Sequence, residues 1–431
     1  MKLGNEMYKW AVDLFPVNRS ITGKGVRETL SYIRSIIPEL EIKSVNSGEK
    51  VFDWIVPDEW EIDEAFIENE NGEKIIDFKQ NNLHVVGYSE PIDKWVDLNE
   101  LEKHLHSLPE QPDAIPYITS YYNKYWGFCL TDYQRKSLLD IKYHVVIKSK
   151  LFKGVLNYGE VLLPGDETKE IFLSTYICHP SMANNEISGP VVTTEIVKWL
   201  KNKKNKRYTY RIVFIPETIG SIAYLSINDN YINLKKNVIA GFQITCVGDN
   251  REVSFIPSRN GESLADHVAI YVLKNYIKNY KIYSYLDRGS DERQWCSPGI
   301  DLPIVSLIRS KYHEYPEYHT SLDDLKLISP EGLEGAFNNI IKCIEILELN
   351  YYYKNTTLCE PQLGRRNLYP KISTKKTKNI MKAMMNLLSY ADGKLSLLQI
   401  VEIINEDFFV VSELAELLVK EQLMKIDNLR I

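Results

Sequence analysis

From Ile171 onward, short apolar runs alternate with amphipathic stretches, and this alternation constrains the fold more than any other feature of the chain. Ile171 to Ile177 is almost continuously apolar, as a strand covered on both faces must be. Gly189 to Leu200 then reads as a helix, Tyr208 to Ile215 as a strand, Ser221 to Asn228 as a helix and Val238 to Val247 as a strand. Ala265 to Tyr276 continues as a helix, Leu302 to Ile308 as a strand and Glu331 to Leu349 as a helix. Strands and helices in this order predict an α/β fold, a mainly parallel sheet with helices on both faces.

The flanks read differently. Met7 to Phe15 and Val26 to Ile37 are helical, with Thr22 as the expected N-cap of the second helix. Between Val51 and Leu139, short runs rich in tyrosine and tryptophan are broken by turn signals such as Glu70-Asn71-Gly72, which predicts a β-rich insertion. Longer strand-like runs follow at Tyr143 to Ile147 and Gly159 to Leu163. Beyond a basic linker, Lys371 to Lys378, come three helical segments (Ile380 to Ser389, Ser396 to Asn405, Val411 to Glu421) and a short strand, Leu423 to Ile426. That order predicts a winged-helix module. The expected division is an α/β domain over residues 1–48 and 141–370, an inserted β-rich domain over 49–140, and a winged-helix-like domain over 373–431.

Lysine and arginine number 52 against 58 acidic residues, a net charge of −6, which argues against a general electrostatic footprint for nucleic acid. The second and third C-terminal helices carry Glu402, Glu406, Asp407, Glu413, Glu416 and Glu421, so a phosphate backbone would meet repulsion there. The module is expected to pack on its own core or on a second subunit, making a homo-oligomer. No run approaches the roughly 20 apolar residues of a membrane span, and the N-terminus has no apolar signal region. The six cysteines are far apart with no C-x-x-C pair, which reads as reduced thiols of a cytoplasmic protein.

Four polar clusters end strand-like runs or follow them: Ile177-Cys178-His179-Pro180, Ile215-Pro216-Glu217-Thr218, Gly289-Ser290-Asp291-Glu292-Arg293 and Tyr318-His319-Thr320. In an open α/β sheet, ligands collect at the carboxyl ends of strands. Two distant histidines and a carboxylate brought together there suit a zinc ion that keeps an open position. Each residue also has a plain structural reading. His179 could bond a backbone carbonyl in a tight turn, Glu217 could stabilise a helix start, and the 289–293 loop could be tied by its own ion pairs. Asp323 is placed to orient His319, and His313 is a weaker competitor for the ligand role.

The order of these pieces, together with Asn184-Asn185-Glu186-Ile187-Ser188-Gly189, Glu217-Thr218-Ile219-Gly220-Ser221, Ser290-Asp291 and His319-Thr320-Ser321-Leu322-Asp323, resembles the zinc aminopeptidase superfamily of leucyl-type aminopeptidases and glutaminyl cyclases. More narrowly, Arg19-Ser20-Ile21-Thr22-Gly23, Pro116-Tyr117-Ile118-Thr119-Ser120-Tyr121-Tyr122 and Trp126-Gly127-Phe128-Cys129 are similar to a bacterial aminopeptidase-like group encoded among polysaccharide-biosynthesis genes. The resemblance implies a zinc-aminopeptidase-like fold and a metal centre. It also exposes departures: the superfamily's bridging Asp falls on Asn185, the second Glu of its pair on Thr218, its strand-end Asp on Thr245, and the Asp after the first His on Ser181.

Those losses suit one zinc ion better than two. The expected ligands are His179, His319 and a carboxylate from Glu186 or Glu217, with Glu217 aligned to the catalytic base, and with Asp291 and Arg293 gripping substrate. The expected activity is zinc-dependent hydrolysis of an amide bond in a small peptide or in an aminoacyl or sugar conjugate. The alternative is a catalytically inactive binding protein of the same fold, linked to polysaccharide biosynthesis.

Overall fold

The computed structural model describes residues 3–366, 368 and 375–427. It divides into two compact units, one reaching to His267 and including Lys278–Asn339, the other comprising Val268–Ile277 and the described residues from Ile340 on.

The first unit is built on an eight-stranded sheet: β1 (Glu41–Asn46), β2 (Val155–Leu163), β3 (Glu167–Tyr176), β4 (Tyr208–Ile215), β5 (Val238–Gln243), β6 (Val253–Ile256), β7 (Tyr280–Ile282) and β8 (Ile304–Ile308). The spatial order is β1-β2-β4-β3-β5-β8-β6-β7. The four central strands, β4, β3, β5 and β8, are parallel, and the antiparallel pairings flank them. The continuous apolar run thus lies at the sheet's centre. Phe172 joins a core cluster with Ile219, Ile222 and Trp295. Ile171 and Leu173, on the opposite face by the two-residue period, are equally buried.

A helix, α1 (Ser188–Asn202), packs against β3 and begins close to two strands at once. A Cβ at Gly189 would lie 2.4 Å from Thr175 Oγ1 and 2.5 Å from the Ile244 carbonyl, so only glycine permits that approach. The boundaries differ locally from expectation. The helix after β4 runs Ile219–Ser226, and Asn230–Asn237 forms a further helix. Thr22 is not a cap: the cap position is Gly23, and the Thr22 hydroxyl instead bonds Tyr88 Oη and accepts from Trp60 N.

The insertion contains a four-stranded antiparallel sheet in the order Lys74–Asp77, Glu59–Asn69, Tyr143–Phe152, Ile92–Val96, with its own core around Ile67, Phe128 and Val145. The strand Tyr143–Phe152 pairs here and not with the large sheet. A loop from this segment returns to the α/β part, where Tyr117 N donates to the His319 carbonyl (2.9 Å) and Ser321 N to the Ile115 carbonyl (2.9 Å).

In the second unit, helices Lys375–Tyr390, Leu397–Ile404 and Phe408–Lys420 stand with a three-stranded sheet of Tyr352–Asn355, Asp392–Ser396 and Met424–Ile426. Ser396 and Gln399 form a capping box, and Asp407 caps the last helix. Part of the basic linker lies outside the described residues. Among the described residues no helix is long and apolar enough to cross a membrane.

A Cβ at Gly25 would fall 1.9 Å from the Asn18 carbonyl. Gly25→Ala is therefore expected to push the helix Lys24–Ile36 off the Asn18–Arg19 turn and to cost about 1–3 kcal/mol in urea unfolding. His144 lies between Glu68 Oε1 (2.8 Å) and Asp93 Oδ1 (2.7 Å), and those hydrogen bonds raise its pKa above the ordinary 6.5. A raised folded-state pKa contributes stability that is complete below about pH 6.5 and lost as pH rises through the folded value. The stability margin of the wild type over His144→Gln, about 1 kcal/mol or less, should shrink with rising pH; a margin that grows would contradict the pairing.

Candidate metal and hydrolytic site

β3 ends at Tyr176, and His179 follows in a turn that leads into α1. Glu217 emerges two residues beyond β4, and His319 lies in the turn-rich stretch after β8. The sheet brings all three together. The imidazoles of His179 and His319 stand 5.3 Å apart between ring centroids, and His179 Nε2 is 3.7 Å from Glu217 Oε2. His179, Glu217 and His319 line a cavity of about 410 Å³ with Tyr117, Tyr121 and Trp54. His313 is 6.5 Å from His319 between ring centroids.

The two faces of the His179 ring are unlike. Nδ1 lies 3.0 Å from Glu186 Oε2, and Cys178, His179 and Glu186 form a group whose possible ligand atoms lie within 4.8 Å of one another. Arg19 closes that side. Its Nε donates to the His179 carbonyl (2.9 Å) and lies 3.6 Å from Glu186 Oε1, with both side chains 1 % exposed. Burial raises the Cys178 thiol well above its usual range, which disfavours the thiolate that a metal would need. The other ring nitrogen, Nε2, faces Glu217, which lines the cavity with His179 and His319. His319 Nε2 is buried without a hydrogen-bond partner, as are Glu186 Oε1 and Arg19 Nη2 on the Nδ1 side, and such atoms call for a partner. Glu186, an expected ligand, belongs to the group with Cys178 and His179 and lies on the Nδ1 side of the His179 ring.

Burial keeps both imidazoles neutral, lowering His179 to about 3, with Arg19 acting in the same direction, and His319 to about 2. Neutral imidazole is the form that binds a metal. Glu186 is pushed up to about 8 by burial, against the attraction of Arg19. Glu217 is raised well above the carboxylate range by burial and by the nearby Asp291 charge, with Arg293 pulling the other way. A carboxyl so placed can hold a proton near neutrality.

Asp291 is fully buried, which does not match the expectation that it grips substrate. It accepts from Thr218 N (2.8 Å) and from the Ser221 hydroxyl, and so supports the turn beside Glu217. Arg293 is exposed and donates to Thr218 Oγ1 (3.0 Å). Asp323 does not orient His319. It accepts from the backbone N–H groups of Ala183 (3.1 Å), Asn184 (2.6 Å) and Asn185 (2.9 Å), and from Tyr315 Oη (3.0 Å). Thr218 (φ 63°) and His319 (φ 56°) both adopt left-handed backbone conformations costly for their residue types, as is common at functional sites.

The departures noted in the sequence are filled by a neutral network. Tyr176 Oη donates to Asn185 Oδ1 (2.8 Å), and Thr245 Oγ1 bonds both Tyr176 Oη and the Asn185 carbonyl (2.9 Å). A phenol stands among these side chains, with no carboxylate in the network. Arg19 and Tyr176 are participants that sequence reasoning misses: nothing local in Arg19-Ser20-Ile21-Thr22-Gly23 ties the guanidinium to His179, 160 positions away.

Residues 8–350 match the family described as "Domain of unknown function (DUF4910)", and residues 351–426 match a winged helix-turn-helix family. A protein of Clostridium acetobutylicum named for polysaccharide biosynthesis and an aminopeptidase-like domain is 44% identical over 425 residues, 98% of this chain and 96% of its own. A crystal structure of a candidate peptidase from the same organism superposes with a TM-score of 0.92 at 42% identity, over 98% of this chain and 96% of that one. The zinc aminopeptidase BSAP of Bacillus subtilis shares the fold at a TM-score of 0.59 and 14% identity, over 80% of this chain and 94% of that one.

Removing the guanidinium in Arg19→Met would leave Glu186 buried without its cation. With Glu186 already raised to about 8 by burial, its carboxyl keeps a proton in the variant, and the expected cost is about 1–3 kcal/mol in denaturant unfolding of the metal-free protein; a Glu186 titration, followed by carboxyl-carbon NMR, that does not move upward in the variant would contradict the pairing.

Proposed function

The chain belongs to the DUF4910 family, and from that premise we propose that it is a zinc-dependent hydrolase of aminopeptidase type, acting on an amide bond in a small peptide or an aminoacyl or acyl conjugate. The observation that carries the reading is the pair of neutral imidazoles beside Glu217 on the cavity floor, with His319 Nε2 buried and unpartnered. His179 and His319 would hold one zinc ion through their Nε2 atoms. Zinc bound there supplies Lewis acidity to the amide carbonyl.

The chain's own residues do the rest. Glu186 occupies Nδ1 of His179 and keeps Nε2 toward the cavity. Glu217 takes a proton from the attacking water and returns it to the departing nitrogen, a duty its raised pKa favours. Asp291 and Arg293 brace Thr218 and thereby aim Glu217. The products are a carboxylic acid and an amine. A cytoplasmic setting fits the unpaired cysteines. The exposed Glu402, Glu413 and Glu416 of the C-terminal module favour a protein contact, such as a second subunit, over duplex DNA.

A second reading, a binding protein without turnover, is favoured by the Tyr176–Asn185–Thr245 network in place of acidic ligands.

Zinc titration by calorimetry should give one site per chain, lost in His319→Ala and retained in Glu217→Gln. Glu217→Gln should lower amide hydrolysis at least about 100-fold. Absence of zinc binding with intact folding would sink the proposal, and ligand binding without turnover would favour the second reading.

A further inference from the structure

One wall of the cavity has a composition that the chemistry of amide hydrolysis does not require. Trp54, Tyr117, Thr119, Tyr121 and Tyr122 all come from the insertion and line the cavity of about 410 Å³ together with Glu217 and the histidines, Tyr117 packing on both imidazole rings at 5.1 and 5.2 Å between centroids. Trp54 and Tyr122 remain 40 % and 54 % exposed. Neither ring hangs loosely. The two meet edge to face at 5.9 Å between centroids, and Tyr122 Oη donates to the Ile55 carbonyl at 3.0 Å. Large rings held in place yet left bare at a cavity mouth mark a surface kept for a ligand.

Hydroxyl groups stand on the same wall. Tyr117 Oη and Tyr121 Oη are 3.0 Å apart, and Thr119 adds another hydroxyl. Among the cavity-lining residues the ionisable side chains are the tyrosines, Cys178, the two histidines and Glu217, all but the tyrosines grouped at the floor. The wall therefore offers flat apolar faces and neutral hydrogen-bonding edges. A pyranose has the matching surface: a face of C–H bonds bordered by hydroxyls. An anionic group would find no cation among the lining residues, and a pyranose can add its hydroxyls to the Tyr117–Tyr121 pair while its C–H face covers a ring.

We propose that Trp54 and Tyr122 form a subsite for an uncharged pyranose ring, and that the scissile amide joins an acyl or aminoacyl group to the nitrogen of an amino sugar. The assignment deepens the hydrolase reading and rests on the cavity floor being the reacting end. Water adds across the C–N bond, oxygen going to the acyl carbon and hydrogen to nitrogen, and the products are a carboxylic acid and the free amino sugar.

Binding can be read without turnover, which separates this inference from the catalytic one. Saturation-transfer NMR on the full-length protein, with methyl N-acetyl-β-glucosaminide as one probe and acetanilide as the other, reports which ring is bound. The expected result is transfer to the ring C–H protons of the glucosaminide, falling at least 5-fold in both Trp54→Ala and Tyr122→Ala. Trp95→Ala, which removes an exposed tryptophan outside the cavity lining, should leave the signal unchanged. Circular dichroism of each variant checks folding. No transfer to the glucosaminide, transfer undiminished in both cavity variants, or transfer to acetanilide alone would each overturn the pyranose assignment, whether or not the protein binds zinc or hydrolyses an amide.

Discussion

Asp323 gathers three backbone N–H groups of the Ala183–Asn185 turn onto one buried carboxylate, and the convergence of the two imidazoles depends on that junction. His319 lies four residues before Asp323, and His179 four residues before Ala183. A carboxylate accepting several N–H bonds in a water-poor interior is costly to displace. Joining the two loops in this way fixes the distance between residues that are 140 positions apart in sequence. The insertion secures the other side of the same loop, through Tyr117 N on the His319 carbonyl and Ser321 N on the Ile115 carbonyl. The left-handed backbone at His319 is thus held from two directions, as strained site residues must be.

Behind the cavity, charge is matched at close range. Arg19 lies against Glu186, Glu186 meets Nδ1 of His179, and the opposite ring nitrogen faces Glu217. Around Asn185 and Thr245, by contrast, hydrogen bonds to Tyr176 satisfy the polar groups without any charge. One half of the region sets a guanidinium beside carboxyls whose pKa burial has raised, and the other is held by neutral hydrogen bonds alone.

The sheet was legible in the sequence because strands covered on both faces must be apolar throughout, and Ile171 to Ile177 shows it directly. His179, Glu217 and His319 were legible because polar groups at or after such runs fall on one edge of the sheet. What could not be read was long-range partnership. Asp323 looked like a neighbour of His319 but bonds a turn far away in sequence, and Arg19 reaches His179 across 160 positions. Thr22 had the chemistry of a helix cap, yet tertiary contacts to Tyr88 and Trp60 claimed its hydroxyl. Local pattern names the element on which a side chain sits, whereas its partner is set by packing between elements.

The central claim is that the Nε2 atoms of His179 and His319 share one ion. Anomalous diffraction across the zinc absorption edge, on crystals grown with zinc, tests it most directly. The account predicts one peak between these two nitrogens, on the Glu217 side of the His179 ring. A peak beside Cys178 and Glu186, or no ordered zinc anywhere in the cavity, would contradict it.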